Sequence, residues 1–240
     1  MFVDGEGMFQ TARENARLLL IHPSLTDDTL ILNAPEMPEI SVPLVTKRPE
    51  KRVVSIWRDA CEAWDEGDEV SEWASEFLGA SVRLVRMCDD FRRVVDPKYS
   101  PRPSQTGFSD GFPLLVITEE SVEDLNQRLV ARGKNPVMMN RFRPNIVIQG
   151  GEPFAEDTWS TIQLGDVIID LVKPCARCVI PTLDPNTGKA PQVGEPSATL
   201  ATFRRFDNKI MFAQNGIHRA PGVLKVGQAV KIHGYRKLMA

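Results

Sequence analysis

Short apolar runs broken by turn-forming residues dominate residues 1–58. Phe2-Val3 meets a turn at Asp4-Gly5-Glu6-Gly7, a sequence able to join two hairpin strands. Leu18-Leu19-Leu20-Ile21 reads as a buried strand ended by Pro23, and Thr29-Leu30-Ile31-Leu32 as another ended by Asn33 and Pro35. Ile40-Ser41-Val42 and Val53-Val54-Ser55-Ile56-Trp57 continue the series. A strand roughly every ten residues predicts an antiparallel sheet or barrel.

The period changes at residue 68. Val70, Trp73, Ala74, Phe77 and Leu78 recur at helical spacing and predict a helix over 68–79, with Asp68 as N-cap and Gly79 as its stop. Residues 82–85 return to strand. Residues 89–108, rich in Arg, Asp, Pro and Ser, read as one long loop, and loops of that length in a compact domain are often functional. A strand at 114–117 precedes a helix that Thr118 or Ser121 caps, with Val122, Leu125 and Leu129 on one face and Gly133 after it. Strands follow at 146–148, 161–164 and 167–172, the last two around a Gly165-Asp166 turn. A helix over 197–205 carries Leu200 and Phe203. Short strands at 210–213, 223–225 and 229–232 close the chain, the last two around Gly227. The expected fold class is mainly β with a few helices (α+β).

Composition then excludes several classes. With 240 residues the chain can bury a substantial core in one large domain or two small ones. A net charge of −3 provides no general basic field for nucleic acid or anionic membrane. No run approaches the ~20 apolar residues of a membrane span. The N-terminal MFVDGEGMFQTAR has neither the basic nor the apolar region of a signal peptide. Cys61 and Cys88 lie far from Cys175 and Cys178, so a reducing, cytoplasm-like compartment is expected rather than a disulfide framework. His22, His218 and His233 offer no zinc spacing with the cysteines.

The densest chemistry is Lys173-Pro174-Cys175-Ala176-Arg177-Cys178, placed where a buried strand reaches a loop. Two thiols beside two cations suit a soft metal or redox chemistry, and they also suit two small half-buried hydrophobes. One pair cannot complete a tetrahedral zinc site. The extended look of Val179-Ile180-Pro181-Thr182 argues against a thioredoxin-type helix start. Arg143 and Asn145, with Pro144 between them, fit a phosphate or the edge of a heteroaromatic ring, or a surface arginine and a turn asparagine. Ser109-Asp110 reads as a functional hydroxyl and carboxylate or as a strand-start cap. Glu156-Asp157 reads as a helix-turn or loop cap, and Arg13 is ambiguous in the same way.

Taken together, RFRPNIVIQG, FAEDTW, LGDVIIDLVKPCARC, TLDPNTG and GVLKVGQAVKI, preceded by SDGFPLLVITEESVEDLNQRL, resemble the MOSC domain in order and spacing. Within that family the chain is similar to bacterial YcbX-like proteins and the animal mitochondrial amidoxime reducing component. The resemblance implies a MOSC N-terminal β-barrel domain over 1–58, a helix-containing connection over 59–108, a MOSC β-barrel over 109–234 and a tail over 235–240. It implies a molybdenum cofactor (Mo-molybdopterin) with Cys178 as its thiolate ligand and Cys175 as a neighbour. Arg177 and the backbone at Ala176 would hold the pterin or its phosphate. Arg143, Asn145 and Ser109 match cofactor-binding positions, and Asp110 an acid near the metal. Family members often carry serine where Ala176 stands. Family-level labels include pyridoxal phosphate binding, with no residue attached to it.

The implied activity is two-electron reduction of N-hydroxylated compounds, with a small N-oxygenated molecule as substrate. Family members carry a Pro-Val-Lys-Ser strand upstream of the position matching Met1, so the resemblance implies an incomplete N-terminal barrel. Bacterial members often continue into a ferredoxin domain. The chain ends at Ala240, so a separate donor is implied: a flavin reductase, a ferredoxin or a cytochrome b5-type carrier. The expected location is cytoplasmic, with mitochondrial association for a eukaryotic source. The alternatives are a non-catalytic cofactor or sulfur-carrier module and a dithiol redox protein using Cys175 and Cys178.

Overall fold

The first turn forms where the sequence places it. β1 (Phe2–Val3) runs into a turn in which Asp4 N–H donates to Met8 O at 2.9 Å and Gly7 N–H to Asp4 O at 3.0 Å, and Val3 bridges Phe9. Gly7 has φ +80°, and a Cβ there would lie 2.9 Å from Val53 O, so only glycine fits this approach. The structure is a computed structural model that describes residues 1–45, 50–100 and 102–237. It divides into one unit of Met1–Arg93 with Asp184–Lys189, and a second of Val94–Leu183 with Ala190–Ala240.

In the first unit, β2 (His22–Leu25), β3 (Thr29–Asn33) and β4 (Ile40–Pro43) form an antiparallel sheet in that order. β5 (Lys51–Ile56), β6 (Asp59–Asp65) and β7 (Arg83–Met87) join β1 in a second sheet, ordered β1-β7-β6-β5. Between β6 and β7 lies α1 (Asp68–Leu78). Its predicted face of Val70, Trp73, Ala74, Phe77 and Leu78 is buried against Leu32, Ile40 and Val42. Trp73 Nε1 donates to Pro38 O at 2.7 Å, which satisfies the one polar atom that this burial would strand.

Three expectations need correction in this unit. Residues Ala16–Leu20 form a 3-10 turn rather than a strand, because Asn15 Oδ1 accepts Arg17 N–H at 3.1 Å and starts it. A four-residue apolar run has no period long enough to tell the two apart. The strand begins only at His22 and contains Pro23, tolerated because β2 is an edge strand. Gly67, not Asp68, occupies the N-cap position of α1: Asp65 Oδ1 accepts Gly67 N–H at 2.9 Å, while Asp68 accepts from Arg83 at 2.8 Å. Gly79 stops the helix as expected, at φ 67°. The β5–β6 hairpin turns at Trp57-Arg58, so the expected boundary at residue 58 falls inside a hairpin of one unit.

The second unit carries β8 (Leu114–Thr118), α2 (Glu119–Ala131), β9 (Ile146–Ile148), β10 (Trp159–Leu164) and β11 (Val167–Ala176). They are followed by α3 (Ser197–Leu200), β12 (Arg205–Phe206), β13 (Lys209–His218) and β14 (Val230–Tyr235). Strand order is β14-β10-β11-β13-β8-β9, with β12 paired to β13. All pairs are antiparallel except β8 with β9, which α2 connects as a crossover. Alternation along β8 sends Val116 into a cluster with Ile162, Ile169 and Leu171, and Ile117 into one with Leu125, Leu129, Phe142 and Phe212.

The helix expected over 197–205 is only Ser197–Leu200, because β12 begins at Arg205 and needs an extended chain. Asp207 and Asn208, both at positive φ, make a tight two-residue turn into β13. Residues 223–225 are not a strand: Val223 is 74% exposed and has no ladder partner among the described residues, whereas 230–235 pair with β10. Of the expected tail, Tyr235 belongs to β14 and 238–240 lie outside the described residues, as does residue 101 of the loop 89–108. No described helix is long and apolar enough to cross a membrane.

Glu156, read from the sequence as a loop cap, is 1% exposed and ties α2 to the sheet. Ser121 Oγ donates to it at 2.8 Å and Thr118 Oγ1 at 3.0 Å. Burial pushes its carboxyl above the usual range, against these hydrogen bonds. A raised carboxyl favours the folded state below its unfolded pKa, and that contribution is lost as pH rises through the folded value. Glu156→Gln is therefore expected to flatten the fall in stability just above the ordinary carboxylate range, measured by urea unfolding across pH. Leu125, 0% exposed, is expected to cost about 2–5 kcal/mol on replacement by alanine, read from the denaturant midpoint at constant m.

Candidate functional site around Cys178

β11 is buried for its first half and opens in its second. β10 pairs with it only as far as Thr161↔Asp170, whereas β13 follows it to Ala176↔Met211. The β13 ladder shifts register between Leu171 and Lys173 and again between Pro174 and Ala176. Pro174 has no N–H to donate, and it sits where β11 has outrun β10 and the ladder is already irregular. Arg177 N–H donates to Ile210 O at 2.8 Å and ends the pairing. The chain then turns through Cys178 into a 3-10 turn, Ile180–Thr182.

The Arg177 side chain organises this end. Nη2 donates to Phe142 O at 3.0 Å, and Nη1 lies 3.2 Å from Cys175 Sγ. Nε is buried with no partner among the described residues. Cys178 is a free, half-buried thiol that makes no hydrogen bond among the described residues. The sequence suggested cations beside both sulfurs. In the structure Arg177 serves Cys175, and Lys173 Nζ instead lies over the Tyr99 ring, 4.2 Å from its centroid.

A second segment meets the first at Phe142. The 3-10 turn Met139–Phe142 is held to the turn after Cys178 by Arg141, whose Nη1 donates to Thr182 O at 3.2 Å. Phe142, fully buried, packs on Phe212 at 4.7 Å. Arg143 follows with φ 55°, a left-handed conformation uncommon for a non-glycine residue, and its side chain is exposed. Asn145 N–H donates to Leu115 O at 2.9 Å and its Oδ1 accepts Leu115 N–H at 2.8 Å. The asparagine thus fastens residues 143–145 to the start of β8. Arg177 and the Arg143 segment are brought together by the Phe142 carbonyl.

Ser109 and Asp110 come from a third segment, the loop ahead of β8. Ser109 Oγ donates to Phe112 O at 2.8 Å, which leaves Thr106 Oγ1 as donor in their 2.6 Å contact. Its hydroxyl shapes the loop. Asp110 is exposed, four residues before β8. Ala176 is exposed at the last rung of β11. The same loop supplies Tyr99 and Phe112, packed edge to face at 6.0 Å beside Lys173. The charge of Lys173, with a hydrogen bond second, holds the Tyr99 hydroxyl below its usual range. Sequence reasoning missed this pair; the available signal was a tyrosine in a long loop and a lysine two positions before Cys175.

Beneath the open half of β11, Asp170 anchors the strand. It accepts from Arg219 at 2.7 Å, Arg102 at 2.6 Å and Thr161 at 3.0 Å. Burial works against its ionisation, and the Arg219 and Thr161 hydrogen bonds outweigh it, so the carboxyl lies below its usual range. Asp157 joins Arg204 at 2.5 Å and the fully buried Gln214 at 2.6 Å. These buried polar groups hold β10, β11 and β13 in one register.

A family model described as the MOSC domain matches residues 103–231, and one described as the MOSC N-terminal beta barrel domain matches residues 1–81. This chain belongs to the MOSC-domain family. Its MOSC region contains all three segments just described. The chain is 33% identical over 249 residues to a Xenopus laevis protein named mitochondrial amidoxime-reducing component 1, covering 96% of this chain and 70% of that one. The Homo sapiens protein of the same name is 33% identical over 250 residues, covering 98% and 72%. Mitochondrial amidoxime reducing component 2 of Rattus norvegicus is 35% identical over 219 residues, covering 88% and 63%.

The chain has two tyrosines, Tyr99 and Tyr235. In a Tyr235→Phe background, Lys173→Met is expected to raise the pKa of Tyr99 toward its ordinary value. Phenolate absorbance during a pH titration measures this directly.

Proposed function

We propose that this chain is an oxidoreductase that reduces N-hydroxylated compounds, with a molybdenum cofactor held at the Cys178 loop. The observation that carries the reading is a free thiol and an orphaned guanidinium nitrogen on adjacent residues, Cys178 and Arg177, at the open end of β11. A buried donor without an acceptor is costly, and a pterin or phosphate oxygen would satisfy it. The family membership and the names of the relatives point the same way.

Under this reading Cys178 supplies a soft thiolate ligand, and Arg177 with the Ala176 backbone grips the pterin or its phosphate. Arg143, exposed and without a described partner, offers a planar fork to a phosphate. Asn145 spends its Oδ1 on Leu115 and keeps its amide N–H groups for the ligand. Ser109, whose hydroxyl is bonded to Phe112 O, and Asp110, an exposed carboxylate, are assigned the loop wall facing the cofactor and the substrate. When bound, the cofactor supplies the two-electron redox chemistry that breaks an N–O bond. The overall change takes an N-hydroxylated compound, two electrons and two protons to the reduced nitrogen compound and water. The electrons come from a separate flavin reductase, ferredoxin or cytochrome b5-type protein. A compartment that keeps thiols reduced, cytoplasmic or mitochondrial as in the named relatives, suits the four free cysteines.

The Arg177–Cys175 contact favours one competing reading, a dithiol redox protein in which the guanidinium assists Cys175. One experiment separates the two. Purified protein is expected to carry molybdenum stoichiometrically and to reduce an amidoxime with a chemical reductant. Cys178→Ser abolishes turnover, Cys175→Ser retains it, and Arg177→Ala lowers cofactor affinity by roughly 10–100-fold. Equal loss in both cysteine variants without bound molybdenum would establish the dithiol reading. Molybdenum bound without turnover would leave a cofactor-binding module.

A further inference from the structure

β9 ends the seven-stranded sheet, and nothing among the described residues pairs with its outer side. Natural sheet edges are usually guarded by charge, proline or a bulge. The three residues of β9, Ile146-Val147-Ile148, carry none of these, and Val147 is 42% exposed. A hollow lies on each face of this strand. One, of about 920 Å³, lies against α2 and is lined by Val122, Val130, Val137 and Met139. The other, of about 630 Å³, runs toward β14 and is lined by Ile146, Ile148, Leu224 and Ile232. Val147 and Glu119 belong to both.

That arrangement matches the side-chain alternation of a strand. A segment laid beside β9 would send successive side chains into the two hollows in turn, while its backbone met the open edge. The rim indicates the charge of the occupant. Glu119 and Glu123 border the α2 hollow, and Glu120 follows Glu119 in the first turn of α2. Glu120 Oε1 accepts Gly150 N–H at 2.7 Å just beyond the end of β9, while its Oε2 is buried without a donor among the described residues. Lys225 is the one cation lining either hollow among the described residues.

We propose that the outer edge of β9 is a docking site for an extended segment of a partner protein, one that alternates apolar with basic residues. Its apolar side chains, all on one face, fill the hollow toward β14, and its basic groups, on the other face, reach across the α2 hollow to Glu119 and Glu123. The β14 hollow shares Asn145 with the residues assigned to the cofactor, but the docking does not depend on the activity assigned there.

The test uses the full chain and a labelled eight-residue peptide alternating lysine and valine, read by fluorescence anisotropy. Saturable binding is expected, with slowed hydrogen exchange of the β9 amides. Val147→Lys and the pair Glu119→Lys with Glu123→Lys should each weaken binding by about tenfold or more, with the variants still unfolding cooperatively. A peptide of the same composition in scrambled order should bind as weakly as those variants. Equal binding by the scrambled peptide would reduce the site to a charge effect and overturn the proposal. So would unchanged binding in both variants, or a dimer of this chain that Val147→Lys disrupts and that excludes the peptide.

Discussion

A strand that outruns its neighbour is the constraint on which the site depends. β11 is paired on both sides as far as Asp170 and on one side only from there to Ala176. The buried half contributes Ile169 and Leu171 to the core and is pinned by the arginines on Asp170. The free half tolerates Pro174 and two register shifts. Proline would be disruptive in the first half, where both edges donate and accept. Placed past the end of β10, it lets the strand stop within a few residues and present the Cys175–Cys178 segment on a fixed base.

Arg177 turns that base into a site. Its backbone closes the β13 ladder, one end of its guanidinium holds the Phe142 carbonyl, and the other faces Cys175. Residues 139–145 and 175–182, distant in sequence, therefore meet within the MOSC region, and these segments and the Ser109 loop are each stabilised by ordinary structural bonds. Arg141 binds the turn after Cys178, Asn145 binds β8, and Ser109 braces its own loop. Residues assigned to a ligand thus also fasten backbone. What remains unspent after those bonds among the described residues is the Cys178 sulfur, the Arg177 Nε and the exposed Arg143 fork, the groups on which the proposed cofactor site rests.

Much of the fold was legible because burial follows period. The α1 face, the α2 face and the Gly165-Asp166 hairpin all formed as their spacing predicts. Short or uniform runs misled, as with Leu18–Ile21, where an asparagine cap outweighed strand preference, and 223–225, where β14 took the pairing. The Asp59–Asp65 strand went unread because its buried residues are the small Cys61 and Ala63 and the charged Asp65. The motif around Cys178 was visible as residue types, but the partner of each cation was not.

By itself the sequence determined where the strongly periodic strands and helices lie, the family, and the presence of a thiol pair beside cations, because these depend on local period and on residues close in the chain. Tertiary structure alone decided that Arg177 serves Cys175 and Phe142 while Lys173 turns to Tyr99. It alone decided that β8 and β9 run parallel, leaving β9 as an apolar edge between two hollows. Each of these rests on which distant segments share a boundary. Long side chains such as arginine and lysine can reach several neighbours, and only the packed arrangement selects one.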